Sequence, residues 1–172
     1  MNIQIRNATG NDATAIALIG RQSFTDAFGP FFIEQCDCSD YVNKTYTTDR
    51  VRQSISNPQN LYFLGCVDGE PVGFVKLKIG SRHPVIVSER QMELQRIYVL
   101  KEYHGSGVGQ RLMDEAIAAT CGGGEMLWLD VYVCNEKALR FYRRNGFVRL
   151  GEHRFTIGSQ EFLYDVVGLD LT

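Results

Sequence analysis

Three glycines at alternate positions, in His104-Gly105-Ser106-Gly107-Val108-Gly109, follow the apolar run Leu94-Gln95-Arg96-Ile97-Tyr98-Val99 and open onto a helical pattern. Glycines let a backbone approach a ligand closely and take up positive φ, and the first N–H groups of a helix lack internal partners. An anion suits such a loop, a phosphate above all. Two common phosphate loops fail here at single positions. A P-loop needs Gly-Lys-Ser/Thr after its spacer, and no Lys follows these glycines. A dinucleotide fingerprint needs a third glycine, and its two possible frames put Gln110 or Leu112 there.

Other residue types that could do chemistry have plain structural readings when taken alone. Tyr142, beside Phe141, reads as half of a buried aromatic pair, and Tyr98 and Trp128 as core or wall. Glu93 reads as a strand carboxylate within reach of Arg90 or Arg96, and Asn135 as a helix cap. Metal chemistry is short of ligands. Cys36-Asp37-Cys38 is suggestive, but a tetrahedral site takes about four donors and the three histidines are scattered at positions 83, 104 and 153. The five cysteines are odd in number and argue for free thiols, Cys134 included, since no histidine lies near it in sequence.

These residues need elements to hold them. Ile3-Gln4-Ile5-Arg6 alternates as a half-buried strand, and Thr9 to Asp12 supplies cap chemistry for a helix from Ala13 to Phe28, stopped by Gly29-Pro30. A second helix is expected between Phe31 and Asn57, carrying Tyr41, Tyr46, Val51 and Ile55. Residues 61–67 and 71–79, joined through Asp68-Gly69-Glu70, read as a hairpin. A loop from Gly80 to Arg90 leads into a strand starting near Gln91 or Met92. A helix over 107–120 ends at Cys121-Gly122-Gly123-Gly124, and the almost wholly apolar run 126–133 is expected as a strand buried on both faces. In the next helix Asn135 caps, Glu136 suits the positive end, Arg143 and Arg144 the negative end, and Asn145-Gly146 closes it. Strands over 147–150 and 162–167, turning near Gly158-Ser159, complete the chain.

At 172 residues, 44% apolar and 22% charged, the chain has the length and balance of one globular domain, 1–172. A net charge of −2 argues against general nucleic-acid binding. No run approaches the roughly 20 apolar residues of a membrane span, and the start lacks the marks of an export signal, so a cytoplasmic location is expected.

The glycine loop resembles the pyrophosphate loop of the GNAT N-acetyltransferase family, Arg/Gln-x-x-Gly-x-Gly/Ala, with His104 in place of the first Arg or Gln. Asn135-x-x-Ala138-x-x-Phe141-Tyr142-x-x-x-Gly146-Phe147 is similar to the family's downstream motif. Within the family, residues 23–28, 93–99 and 147–171 look most like PaiA-type polyamine acetyltransferases. The resemblance implies an α/β fold with a mixed sheet of about seven strands, a splayed central parallel pair and about four helices. It implies acetyl-CoA as co-substrate, held by the backbone of Ile97, Tyr98 and Val99, by the loop His104, Gly105, Ser106, Gly107, Val108 and Gly109, and by Asn135 and Arg144. Tyr142 takes the family's general-acid position, and Glu93 is the candidate base, because the amide of Gln95 cannot accept a proton.

What the resemblance implies for function is transfer of an acetyl group to a primary amine by direct attack in a ternary complex, with a polyamine as the favoured acceptor. Glu34, Asp37, Asp40 and Asp49 are the carboxylates that would attract it. A protein N-terminus, a lysine side chain or another small amine fits the same motifs, as does a non-catalytic acyl-CoA sensor. A homodimer is expected by analogy, with neither metal, nucleic acid nor membrane as partner.

Overall fold

In the computed structural model, which describes residues 1–172, strand β1 (Ile3–Asn7) leads through a 3-10 turn, Gly10–Asp12, into helix α1 (Ala13–Phe28). Asp12 makes that entry. Its carboxylate accepts from the Thr9 N–H at 2.7 Å and is held by the Arg6 guanidinium at 2.7 Å. The Arg6 hydrogen bond, against the cost of burial, brings the Asp12 carboxyl down to about 2.

Residues 31–57 form two helices where one is expected: α2 (Gln35–Thr45) and α3 (Thr48–Ser56). The break has two causes. Tyr46 leaves the helical region (φ −108°, ψ 54°) and is buried against Gly20, where an added Cβ would come 2.5 Å from its ring. Thr47 then caps α3, its Oγ1 accepting from the Arg50 N–H at 3.2 Å. This adds a fifth helix to the expected four.

Strands β2 (Asn60–Val67) and β3 (Glu70–Ile79) form the expected hairpin, turning on Asp68 and Gly69 at φ 50° and 90°, the paired positive angles of a tight two-residue turn. Then come β4 (Gln91–Val99), α4 (Val108–Thr120), β5 (Met126–Tyr132) and α5 (Glu136–Arg144). A closing hairpin, β6 (Val148–Ile157) and β7 (Gln160–Asp170), runs further at both ends than its apolar stretches suggest.

The seven strands make one sheet in the order β1-β2-β3-β4-β5-β7-β6. Only β4 and β5 run parallel, and they pair at just three positions, Gln91↔Met126, Met92↔Leu127 and Glu93↔Trp128. Beyond Glu93 they part, β4 staying on β3 as far as Val99 and β5 on β7 as far as Tyr132. One face packs α4 and α5 over a core containing Val75, Leu94, Leu112, Leu127 and Leu129. On the other face, α1 and α3 cover Leu64 and Phe74, while α2 packs where Phe24, Tyr46 and Phe162 cluster.

A bulge in β4 decides which side chains face which layer. Lys76 pairs with Arg96 and Leu77 with Leu94, so Gln95 is the unpaired extra residue. Met92 and Leu94 before it, and Ile97 and Val99 after it, all contact the α4 side. Arg96 and Tyr98 are thereby turned to the α1 to α3 side, where each meets Tyr46. No helix is long and apolar enough to cross a membrane.

Candidate active site

The parting of β4 and β5 opens a cleft of about 890 Å³ whose walls are Leu94 to Val99 on one side and Leu129 to Tyr132 on the other. From Leu94 onward the edge of β4 that faces β5 has no strand partner. An unpaired strand edge inside a cleft is a hydrogen-bonding template for an extended ligand.

At one end the cleft meets the glycine loop. Gly105 and Gly107 stand at φ 81° and 96°, a region that side-chain-bearing residues rarely enter. The N–H groups of Gly105, Gly107, Gly109 and Gln110 donate to no acceptor within the chain. These bare donors at the start of α4 face an opening that Lys101, Lys137 and Arg144 also line. A diphosphate fits such a place by charge and by hydrogen bonding. His104 ties the loop to the strand, its Nε2 lying 2.9 Å from the Val99 carbonyl and its Nδ1 3.1 Å from Lys137 Nζ. Since Lys137 can only donate, the neutral tautomer with the proton on Nε2 satisfies both contacts.

Asn135 Oδ1 caps α5 by accepting from the Ala138 N–H at 3.2 Å. Tyr142, two turns further, is packed between Phe141 and Phe147, and burial pushes its phenol well above the ordinary range, so it keeps its proton at neutral pH.

The other wall layer belongs to α1 and the α1-side faces of β4 and β5. Ser23, Asp26 and Phe28 line it with Arg96, Tyr98, Asp130 and Tyr132. Asp130 is the informative group. Its Oδ2 lies 2.7 Å from His153 Nδ1, while its Oδ1 is buried without any partner. A buried carboxylate oxygen left bare is costly unless something else occupies it. His83, Asp130 and His153 bring donor atoms within 4.8 Å of one another, a convergence that their sequence spacing hides.

Comparison with known proteins bears on what this cleft holds. Residues 23–147 match the description "Acetyltransferase (GNAT) family". The chain belongs to the GNAT acetyltransferase family. It is an acetyl-CoA-dependent N-acetyltransferase. An uncharacterized N-acetyltransferase of Lactobacillus delbrueckii subsp. lactis is 29% identical over 158 residues, 91% of either chain. A spermidine N(1)-acetyltransferase of Thermoplasma acidophilum is 26% identical over 152 residues, 86% of this chain and 89% of that one. Among solved structures, the PaiA N-acetyltransferase of Thermoplasma acidophilum in complex with coenzyme A superposes with a TM-score of 0.75 at 22% identity, covering 99% of each chain.

For this GNAT chain, the residues expected at the site are distributed unevenly. Ile97, Tyr98, Val99, His104, Gly105, Gly107, Gly109, Asn135, Tyr142 and Arg144 line the cleft. Ser106 and Val108 do not. The Ser106 hydroxyl donates to the Tyr103 carbonyl at 2.7 Å, and Val108 is fully buried, packed where a Cβ on Gly65 would come within 2.9 Å of it.

Glu93 is also absent from the cleft. It lies on the last paired position of β4 and β5, and its carboxylate accepts from the Ser81 hydroxyl at 2.7 Å, a placement that does not fit a base acting on an amine in the opening. Nor do Glu34, Asp37, Asp40 and Asp49 line it; Asp37 is engaged by the Ser159 N–H and hydroxyl and Asp49 by Arg52. Sequence reasoning missed Asp130, although a signal was present: it is the one charged residue in the run Met126 to Val133.

Proposed function

We propose that this chain acetylates a small primary amine, with Tyr142 as general acid and Asp130, backed by His153, as the group that takes the amine's proton. The observation that carries the assignment of the base is the place of Asp130, a partly exposed carboxylate on the cleft wall, on the strand opposite the unpaired edge of β4 and paired with His153. An incoming ammonium meets there a partly exposed carboxylate, and the His153 ring on Oδ2 keeps that carboxylate oriented.

The freed amine attacks the thioester carbonyl, a carbon–nitrogen bond forms as the carbon–sulfur bond breaks, and Tyr142 supplies the proton that leaves sulfur as a thiol. The second proton of the amine restores the Tyr142 phenol by way of solvent and the one taken by Asp130 is given up to solvent, so one acetyl group moves and one proton is released. The β4 edge from Leu94 to Val99 and the loop at 104–109 do the positioning, which is where much of such a rate enhancement lies.

Among amines, a polyamine is the acceptor favoured by the spermidine acetyltransferase likeness, with Asp26 and Asp130 as the carboxylates it would meet. Arg96 on the same layer works against a polycation. The test is thiol release from acetyl-CoA against a panel of amines. Wild type should release thiol with at least one of them, and Asp130→Asn should lose about a hundredfold in turnover, the usual scale for a positioned base. Glu93→Gln should change it little. Unchanged turnover in Asp130→Asn would remove the base assignment, and thiol release no faster than the buffer blank would favour a sensor.

A further inference from the structure

Arg96 is a cation in want of an anion. Its guanidinium lies over the Tyr46 ring at 5.1 Å, with the neutral phenols of Tyr46 and Tyr98 about it, and it forms no ion pair with any carboxylate of the chain. A cation stacked on an aromatic face is held in place while the N–H groups in its plane stay free to donate.

The surroundings add positive charge. Lys76, register partner of Arg96 on β3, is buried with its Nζ over the Tyr62 ring at 5.6 Å. Arg50 and Arg96 line a cavity of about 40 Å³ together with Ser54, Tyr46 and Tyr62. Arg50 is exposed to solvent, whereas Lys76 is buried, and the carboxylate that acts on Lys76 is Glu93, already held by Ser81. Burial, then repulsion by Arg96, pulls the Lys76 amine down to about 8. A charge taken out of water without a partner is costly, and a bound anion offsets that cost.

Arg96 also lines the reaction cleft, on the same layer as Asp130 but on the opposite strand. We infer that Arg96 is the anion subsite of the acceptor, and that the acceptor is a primary amine carrying a carboxylate, an amino-acid-type zwitterion, whose ammonium meets Asp130 while its carboxylate meets the Arg96 fork. This rests on the acetyltransferase reading and narrows it. A planar guanidinium matches a carboxylate in two parallel hydrogen bonds, whereas a polyamine brings to Arg96 only a further positive charge.

The test compares matched pairs, each an amino acid and the amine that lacks only its carboxylate, such as lysine with cadaverine and γ-aminobutyrate with propylamine, with spermidine alongside. Wild type should acetylate the carboxylated member of at least one pair with kcat/KM tenfold or more above its partner and above spermidine. In Arg96→Gln that ratio should fall toward one, with the KM for acetyl-CoA within twofold of wild type.

Equal or better use of the decarboxylated amines or of spermidine by wild type would overturn the subsite and leave the transferase intact, as would a preference that survives Arg96→Gln. Turnover of no amine at all would overturn the transferase reading and this one with it. Should Arg96→Gln not fold, the wild-type ratio decides, together with Arg96→Lys, which keeps the charge, loses the fork and should lower the ratio.

Discussion

Tyr142 and Asp130 handle protons in opposite directions, and their surroundings differ accordingly. The Tyr142 phenol is flanked by the Phe141 and Phe147 rings and burial raises its pKa, so it remains a proton donor throughout the physiological range. Asp130 has the His153 ring on one oxygen and no partner within the chain on the other, which is buried. Replacing Tyr142 by Phe keeps the packing and deletes the donor. Turnover should fall by about a hundredfold, as for loss of a positioned acid, with acetyl-CoA affinity nearly retained. Steady-state kinetics alongside calorimetric titration of coenzyme A would check this, and full turnover in the variant would remove the acid role. The contrast between Glu93 and Asp130 is also one of surroundings, because two strand carboxylates of similar exposure are separated only by where β4 and β5 stop pairing.

At the scale of elements, the loop entering α4 and the bulge in β4 carry the site. Gly107 stands at φ 96°, and Cβ space around it is open, the nearest atom being Ile3 Cδ1 at 3.8 Å. The cost of a side chain there is therefore backbone strain, about 1–2 kcal/mol for a residue forced into the left-handed region, plus an obstruction over the free N–H groups. Gly107→Val should fold with slightly lower stability and lose binding of coenzyme A. Thermal unfolding and titration read the two effects separately, and normal binding would mean that the diphosphate lies elsewhere. The bulge at Gln95 has a subtler effect. It allows one strand to present Ile97 and Val99 to the α4 layer and Arg96 and Tyr98 to the acceptor side.

For the whole molecule, the sheet is the frame on which two helical layers meet at a single gap, and charge inside that frame shows in its stability. Lys76 is 7% exposed, and its amine is lowered to about 8. Between pH 8 and about 10.5 the unfolded chain binds this proton and the folded chain does not, so the penalty from Lys76 is full below pH 8 and fades as pH rises. Lys76→Met should accordingly be more stable than wild type at pH 7, by on the order of 1–3 kcal/mol, and that advantage should shrink toward pH 10. Denaturant unfolding at the two pH values measures it, and a constant difference would mean that Lys76 is not strained by its neighbours.

By itself the sequence determined what is local. Alternating apolar residues, Asn135 as a cap, Asp68-Gly69 as a turn and glycines opening a helix are all set by φ and ψ preferences and by hydrogen bonds within a few residues. Those rules suffice for most elements, for the loop at 104–109 and for Tyr142 in its motif. Only the tertiary structure decided which carboxylate faces the opening, that Arg96 lacks a counter-charge, and that His83, Asp130 and His153 converge. Each depends on pairing that ends at Glu93 and on a one-residue bulge at Gln95. A bulge turns every later side chain to the other face, and register is fixed by strands far apart in the chain.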